Sequence, residues 1–232
     1  MNYKKAILLL IACFLAYKFL YRPAEVEYGQ YTGPSEMAPK LKGSEVVGHL
    51  RIDLGTRSYS AGHGFVLDVD SQKYVVSASH VIVGSFKDVD SVDVMSGTTA
   101  VVSNAKPAIG PSYSTCNMKD ARRDVTFYTT ESAPRGGDIS LSATPPQVGQ
   151  NVWLLCTQDS KAEKKKLIPA EVTFSSNRAL MYKFEFGVGF GGTSGCPVIN
   201  SDKQLVGVNV CGHSQGGVAV PISTILDSLD AI

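Results

Sequence analysis

The segment Gly189-Phe190-Gly191-Gly192-Thr193-Ser194-Gly195-Cys196-Pro197-Val198 sets one hydroxyl among glycines and ends in proline and a β-branched residue. That composition describes a backbone that turns sharply and brings its N–H groups close to a ligand. In such a turn the N–H groups of Gly192 and Ser194 can converge on one point beside the Ser194 hydroxyl and make an oxyanion hole. Taken alone, the same residues would also serve as a flexible loop. Serine is a weak nucleophile at its free pKa and needs a general base, itself oriented by a carboxylate. A histidine follows an apolar run through small residues in Tyr74-Val75-Val76-Ser77-Ala78-Ser79-His80. An aspartate heads another apolar run in Asp124-Val125-Thr126-Phe127. Asp120 lies just upstream, but Asp124 directly precedes the run and is the better fixed of the two. The chain order is His80, Asp124, Ser194.

The elements that must hold these groups are short strands. From Gly43 onward about twelve apolar or alternating runs follow one another between turn signals, at 46–52, 64–69, 73–78, 89–95, 98–102, 124–130, 152–156, 168–174, 179–186, 197–200, 204–210 and 218–222. Sustained helical periodicity is confined to the end, where residues 223–232 read as a short helix opened by a Ser223 cap. A Pro- and Gly-rich interval at 133–149 divides the body into similar halves. The fold class expected is therefore all-β, with two antiparallel six-stranded β-barrels spanning about 43–132 and 148–222, a C-terminal helix and an N-terminal apolar helix.

In order and context these residues resemble the chymotrypsin-fold serine peptidases, whose small-small-His motif, strand-leading Asp and G-x-S-G-x-P occur in that sequence. The resemblance covers most of residues 44–222. Gly62-His63-Gly64-Phe65-Val66-Leu67, followed by the strand into His80, is similar to a hairpin of HtrA-type peptidases. Residues 193–222 are closer still to the compact polyprotein peptidases of arteriviruses and sobemoviruses. The resemblance implies that His80 is the general base, Asp124 its orienting partner, Ser194 the nucleophile, and the N–H groups of Gly192 and Ser194 the oxyanion hole. It also implies a substrate pocket walled by Val188, Phe190, Gly191, Asn209, Val210, Cys211, Gly212 and His213. By the resemblance the pocket floor falls at Val188, where no carboxylate stands, so a preference for Arg or Lys is not expected. Relatives that cut after Glu or Gln carry Gly-x-His on the wall strand; here Gly207-Val208-Asn209 departs from that pattern. A small or neutral polar P1 residue is the expectation, and neither a cofactor nor a metal is expected. A peptidase-like module that binds without chemistry is the competing class, and the complete His-Asp-Ser set argues against it.

The formal charge is +1, which gives no support to a general nucleic-acid binder. The figure averages two regions, because Lys4, Lys5, Lys18 and Arg22 all precede Pro23 and no acidic residue does. The body is mildly acidic. Residues 1–22 carry an apolar run at 6–17, shorter than the roughly 20 residues of a bilayer span, which Lys18 extends by snorkelling. A membrane anchor through residues 4–22, a cleaved secretory signal and a lipoprotein signal at Leu10-Ile11-Ala12-Cys13 compete, and the lack of a small-x-small cleavage site favours the anchor. Residues 23–42 read as a linker before a peptidase domain at 43–232. The Lys-rich stretch at 161–166 reads as a solvated hairpin tip. Five cysteines in a chain this long read as structural thiols; Cys196 and Cys211 fall near opposite positions of a hairpin, where a cross-strand bridge competes with free thiols lining the site and the free thiols are favoured. The expected partners are a protein or polyprotein substrate and a membrane. Two settings stay open, viral polyprotein processing and a bacterial envelope.

Overall fold

The structure is a computed structural model that describes residues 39, 46–82, 88–109, 119–134, 139–157, 165–185 and 191–231. The expected N-terminal apolar helix, the linker and most of the Lys-rich stretch lie outside them. Among the described residues no helix is long and apolar enough to cross a membrane.

Six strands, β1 (Val47–Asp53), β2 (Ser58–Val69), β3 (Gln72–Ser77), β4 (Ser91–Ser96), β5 (Thr99–Ile109) and β6 (Thr126–Thr129), close a barrel in the order β1-β2-β3-β6-β5-β4. Every neighbouring pair is antiparallel. The second sheet holds β7 (Ser140–Leu141), β8 (Asn151–Thr157), β9 (Lys165–Ser175), β10 (Leu180–Phe184), β11 (Pro197–Ile199), β12 (Gln204–His213) and β13 (Gly216–Pro221). Its order is β11-β8-β9-β10-β13-β12-β7, and β11 also pairs with β12, so six strands form a ring and β7 hangs from it. This corrects the expectation of two purely antiparallel six-stranded barrels, since the added β7 runs parallel to β12. Two residues are too few to show a period, which is why the sequence hides it.

Strand alternation explains how the rings pack. In β8, Val152, Leu154 and Cys156 fill the interior of the second ring. Trp153 and Leu155 face the other way and join the core built on the first barrel by Leu50, Phe65, Val75 and Phe127. The same division in β13 sends Ala219 inward and Val218 and Val220 to the shared core. The C-terminal helix α1 (Ile222–Leu229) seals that core with Ile222 and Ile225. It starts directly from β13 with Pro221 at its cap and no side-chain cap bond, so Ser223 does not have the capping role its type suggests.

Candidate active site

Register brings the first two groups together. Ser77 pairs with Thr126, so the end of β3 lies beside the start of β6. His80 follows in a single 3₁₀ turn at Ser79–Val81, and Asp124 stands two residues before β6. The Ser79 N–H donates to the Asp124 carbonyl at 3.3 Å. The Asp124 side chain is fully buried, with Oδ1 accepting the His80 backbone N–H at 2.8 Å and Oδ2 facing His80 Nδ1 at 2.8 Å. A carboxylate only accepts, so Nδ1 carries the proton and Nε2 keeps its lone pair. That lone pair faces Ser194 Oγ at 2.9 Å. Asp120 is committed elsewhere. It takes Arg122 Nε and Nη2 at 2.9 and 2.7 Å at the surface, and that guanidinium holds its carboxyl down to about 2.

Ser194 sits between the two rings on a turn anchored from both sides. On the second ring, the Gly195 N–H donates to the Asn209 carbonyl at 2.8 Å and the Asn209 N–H to the Cys196 carbonyl at 2.9 Å. On the first barrel, the His63 N–H donates to the Ser194 carbonyl at 2.7 Å. Gly195 has φ +88° and lies so close to this strand that a Cβ would overlap the His63 carbonyl. Only glycine allows that approach. Gly192 also has a positive φ of +83°, as the sharp turn read from the sequence requires.

The substrate-facing residues divide. Val188 and Phe190 lie outside the described residues. Gly191, Gly212 and His213 are exposed, whereas Val210 and Cys211 are buried in β12. Asn209, expected on a pocket wall, is fully buried behind the Ser194 turn. Its Nδ2 donates to the Thr193 carbonyl at 2.9 Å, and its Oδ1 accepts the Tyr182 hydroxyl at 2.6 Å. Burial pushes the Tyr182 phenol up, so it keeps its proton and remains a donor. Alternation along β12 could have placed Asn209 inside, but the partner that makes an inward amide tolerable lies on β10.

Cys196 is bonded to Cys156 in a disulfide, with Cα atoms 5.5 Å apart, and Cys211 is also disulfide-bonded. Both findings replace the free thiols expected near the site. The Cys156 partner lies on β8, the strand paired with β11 but far from Cys196 in sequence, which spacing could not indicate.

His63, to which the sequence assigned no role, is 2% exposed. Its Nδ1 lies 2.7 Å from the Gly192 carbonyl and its Nε2 2.8 Å from Thr157 Oγ1. The Thr157 N–H also donates to Nε2, at 3.2 Å. Burial, reinforced by the His49 ring at a centroid distance of 4.0 Å, pushes the His63 imidazole down to about 4. Neutral histidine has one N–H, and a carbonyl at Nδ1 with an amide donor at Nε2 places it on Nδ1.

Among solved structures, serine proteases share this fold of two joined β rings. The active form of the Rv3671c protease from M. tuberculosis matches with a TM-score of 0.60 at 17% identity, over 87% of this chain and 92% of that one. Its inactive form matches with a TM-score of 0.54 at 18% identity, over 81% and 88%. The serine endoprotease of Yersinia pestis matches with a TM-score of 0.59 at 14% identity, over 81% of this chain and 62% of that longer one. No family model matches the sequence, and no curated protein does.

Proposed function

We propose that the protein is a serine endopeptidase that hydrolyses peptide bonds through an acyl-enzyme. The observation that carries this reading is the hydrogen-bonded line from Asp124 Oδ2 through His80 to Ser194 Oγ, with both contacts under 3 Å. In this reading His80 Nε2 takes the Ser194 proton as the hydroxyl attacks the scissile carbonyl. The N–H groups of Gly192 and Ser194 stabilise the oxyanion, and His80 returns the proton to the leaving amine. Water then enters through the same base and releases the acyl group. Asp124 holds the tautomer throughout and stabilises the imidazolium. The substrate is a polypeptide with a small or neutral side chain at P1, a choice supported by the lack of any acidic residue from Phe186 to Asn200.

The apolar leader supports a membrane tether, and the Cys156–Cys196 disulfide supports an oxidising compartment for the domain. Together they favour an envelope or cell-surface peptidase over one that processes a polyprotein in the cytosol. One experiment addresses activity and tether together: fluorophosphonate labelling of the full chain in fractionated cells, as wild type and as Ser194→Ala. The expected result is labelled wild type in the membrane pellet and no labelled Ser194→Ala. Equal labelling of both, or of neither, overturns the peptidase reading, and label confined to the soluble fraction overturns the tether alone.

A further inference from the structure

The turn that carries Ser194 has three consecutive carbonyls, and each is held by a hydrogen bond. His63 Nδ1–H takes the Gly192 carbonyl, and the Cys196 N–H and Asn209 Nδ2 take that of Thr193. The His63 backbone N–H takes that of Ser194. A trans peptide points its C=O and its N–H in opposite directions. Holding the Thr193 carbonyl inward therefore turns the Ser194 N–H outward, toward the space beside Ser194 Oγ. Gly192 is the less constrained of the two donors, because it has no Cβ and nothing lies within 4 Å of where one would stand. The peptide that follows it, which carries the Thr193 N–H, is held by the His63 side chain, bound to the Gly192 carbonyl at 2.7 Å and buried, so the turn is tied down on the far side of the Gly192 Cα.

We infer that His63 is a positioning residue of the oxyanion hole: its Nδ1–H fixes the Gly192 carbonyl while its backbone N–H holds that of Ser194, so the turn that carries the Gly192 and Ser194 N–H groups keeps one conformation. The inference rests on the peptidase reading. His63 makes no hydrogen bond to His80, and in this inference it acts through the turn. Its Nε2, held by Thr157 on β8, keeps the ring from rotating away, so the second ring sets the aim of a side chain that belongs to the first barrel.

The test compares His63→Leu, His63→Asn and His63→Gln with wild type and Ser194→Ala, measuring peptide hydrolysis, rate of fluorophosphonate labelling, and thermal unfolding. Asn places an amide N–H near the Nδ1 position, on the Gly192 side, whereas the longer Gln reaches toward Thr157. His63→Leu should lower kcat about 10- to 100-fold, below the 10²–10³ that loss of a donor itself costs, with KM changed less than about 3-fold. His63→Asn should recover most of that loss, and His63→Gln should not. Unchanged kcat in the folded Leu variant, or equal rates for Asn and Gln, overturns the inference. Should His63→Leu not fold, the Asn and Gln pair decides alone. A wild type that neither labels nor cleaves would instead remove the peptidase reading on which the inference stands.

Discussion

His80 and His63 both bind the Ser194 turn, with the same ring in different surroundings. The His80 side chain is 23% exposed between an anionic partner and a hydroxyl, while His63 is buried between a carbonyl, a threonine and a second imidazole. Burial lowers the His63 imidazole from 6.5 to about 4. Between those values the unfolded chain binds the proton and the folded chain does not, so stability falls as pH drops through that window and levels off below about 4. The full effect is on the order of 3 kcal/mol. Urea unfolding of wild type should therefore lose more stability between about pH 7 and pH 4.5 than His63→Asn does, and parallel curves for the two would refute the assignment. At this scale Ser194, His80 and Asp124 were legible because each has a local signature: glycines, small residues, the head of an apolar run. His63 and Asn209 lacked one, since their partners Gly192, Thr157 and Tyr182 are brought to them by folding.

The elements were legible where an unbroken apolar run marks a strand buried on both faces. β8 and β13 fall close to where the pattern puts them. The first half of β2, Ser58-Tyr59-Ser60-Ala61, is polar, largely accessible and followed by glycines. It is a strand because β1 pairs with it across a bulge at His49/Leu50. The Ser194 turn shows the opposite case, a glycine pattern read correctly as a sharp turn, whose tightest point is set by a neighbouring strand. Gly195→Ala adds strain at φ +88° and drives a methyl into the His63 carbonyl and Ser77 Oγ. It should cost at least about 2 kcal/mol, seen as a fall in Tm of about 4–8 °C, with peptidase activity lost. Gly191→Ala, with nothing within 4 Å of the added methyl, should leave Tm almost unchanged.

For the whole molecule, the Cys156–Cys196 bond ties β8 to the residue two past Ser194, and with Thr157 it makes β8 the support for both the turn and His63. It closes a loop of 40 residues, for which restriction of the unfolded chain gives roughly 2–4 kcal/mol. The Cys156→Ala/Cys196→Ala double variant should lose about that much in urea unfolding at neutral pH; a variant as stable as wild type would show the bond to be dispensable. By itself the sequence determined a mostly β class and the local settings of His80, Asp124 and Ser194, because short-range periodicity and turn chemistry are written in neighbouring residues. Tertiary structure alone decided the parallel β7, the cysteine pairing, the burial of Asn209 and the seating of His63. These depend on which strands meet across two closed rings, and ring closure is a long-range packing outcome that leaves no mark at the spacing of adjacent residues.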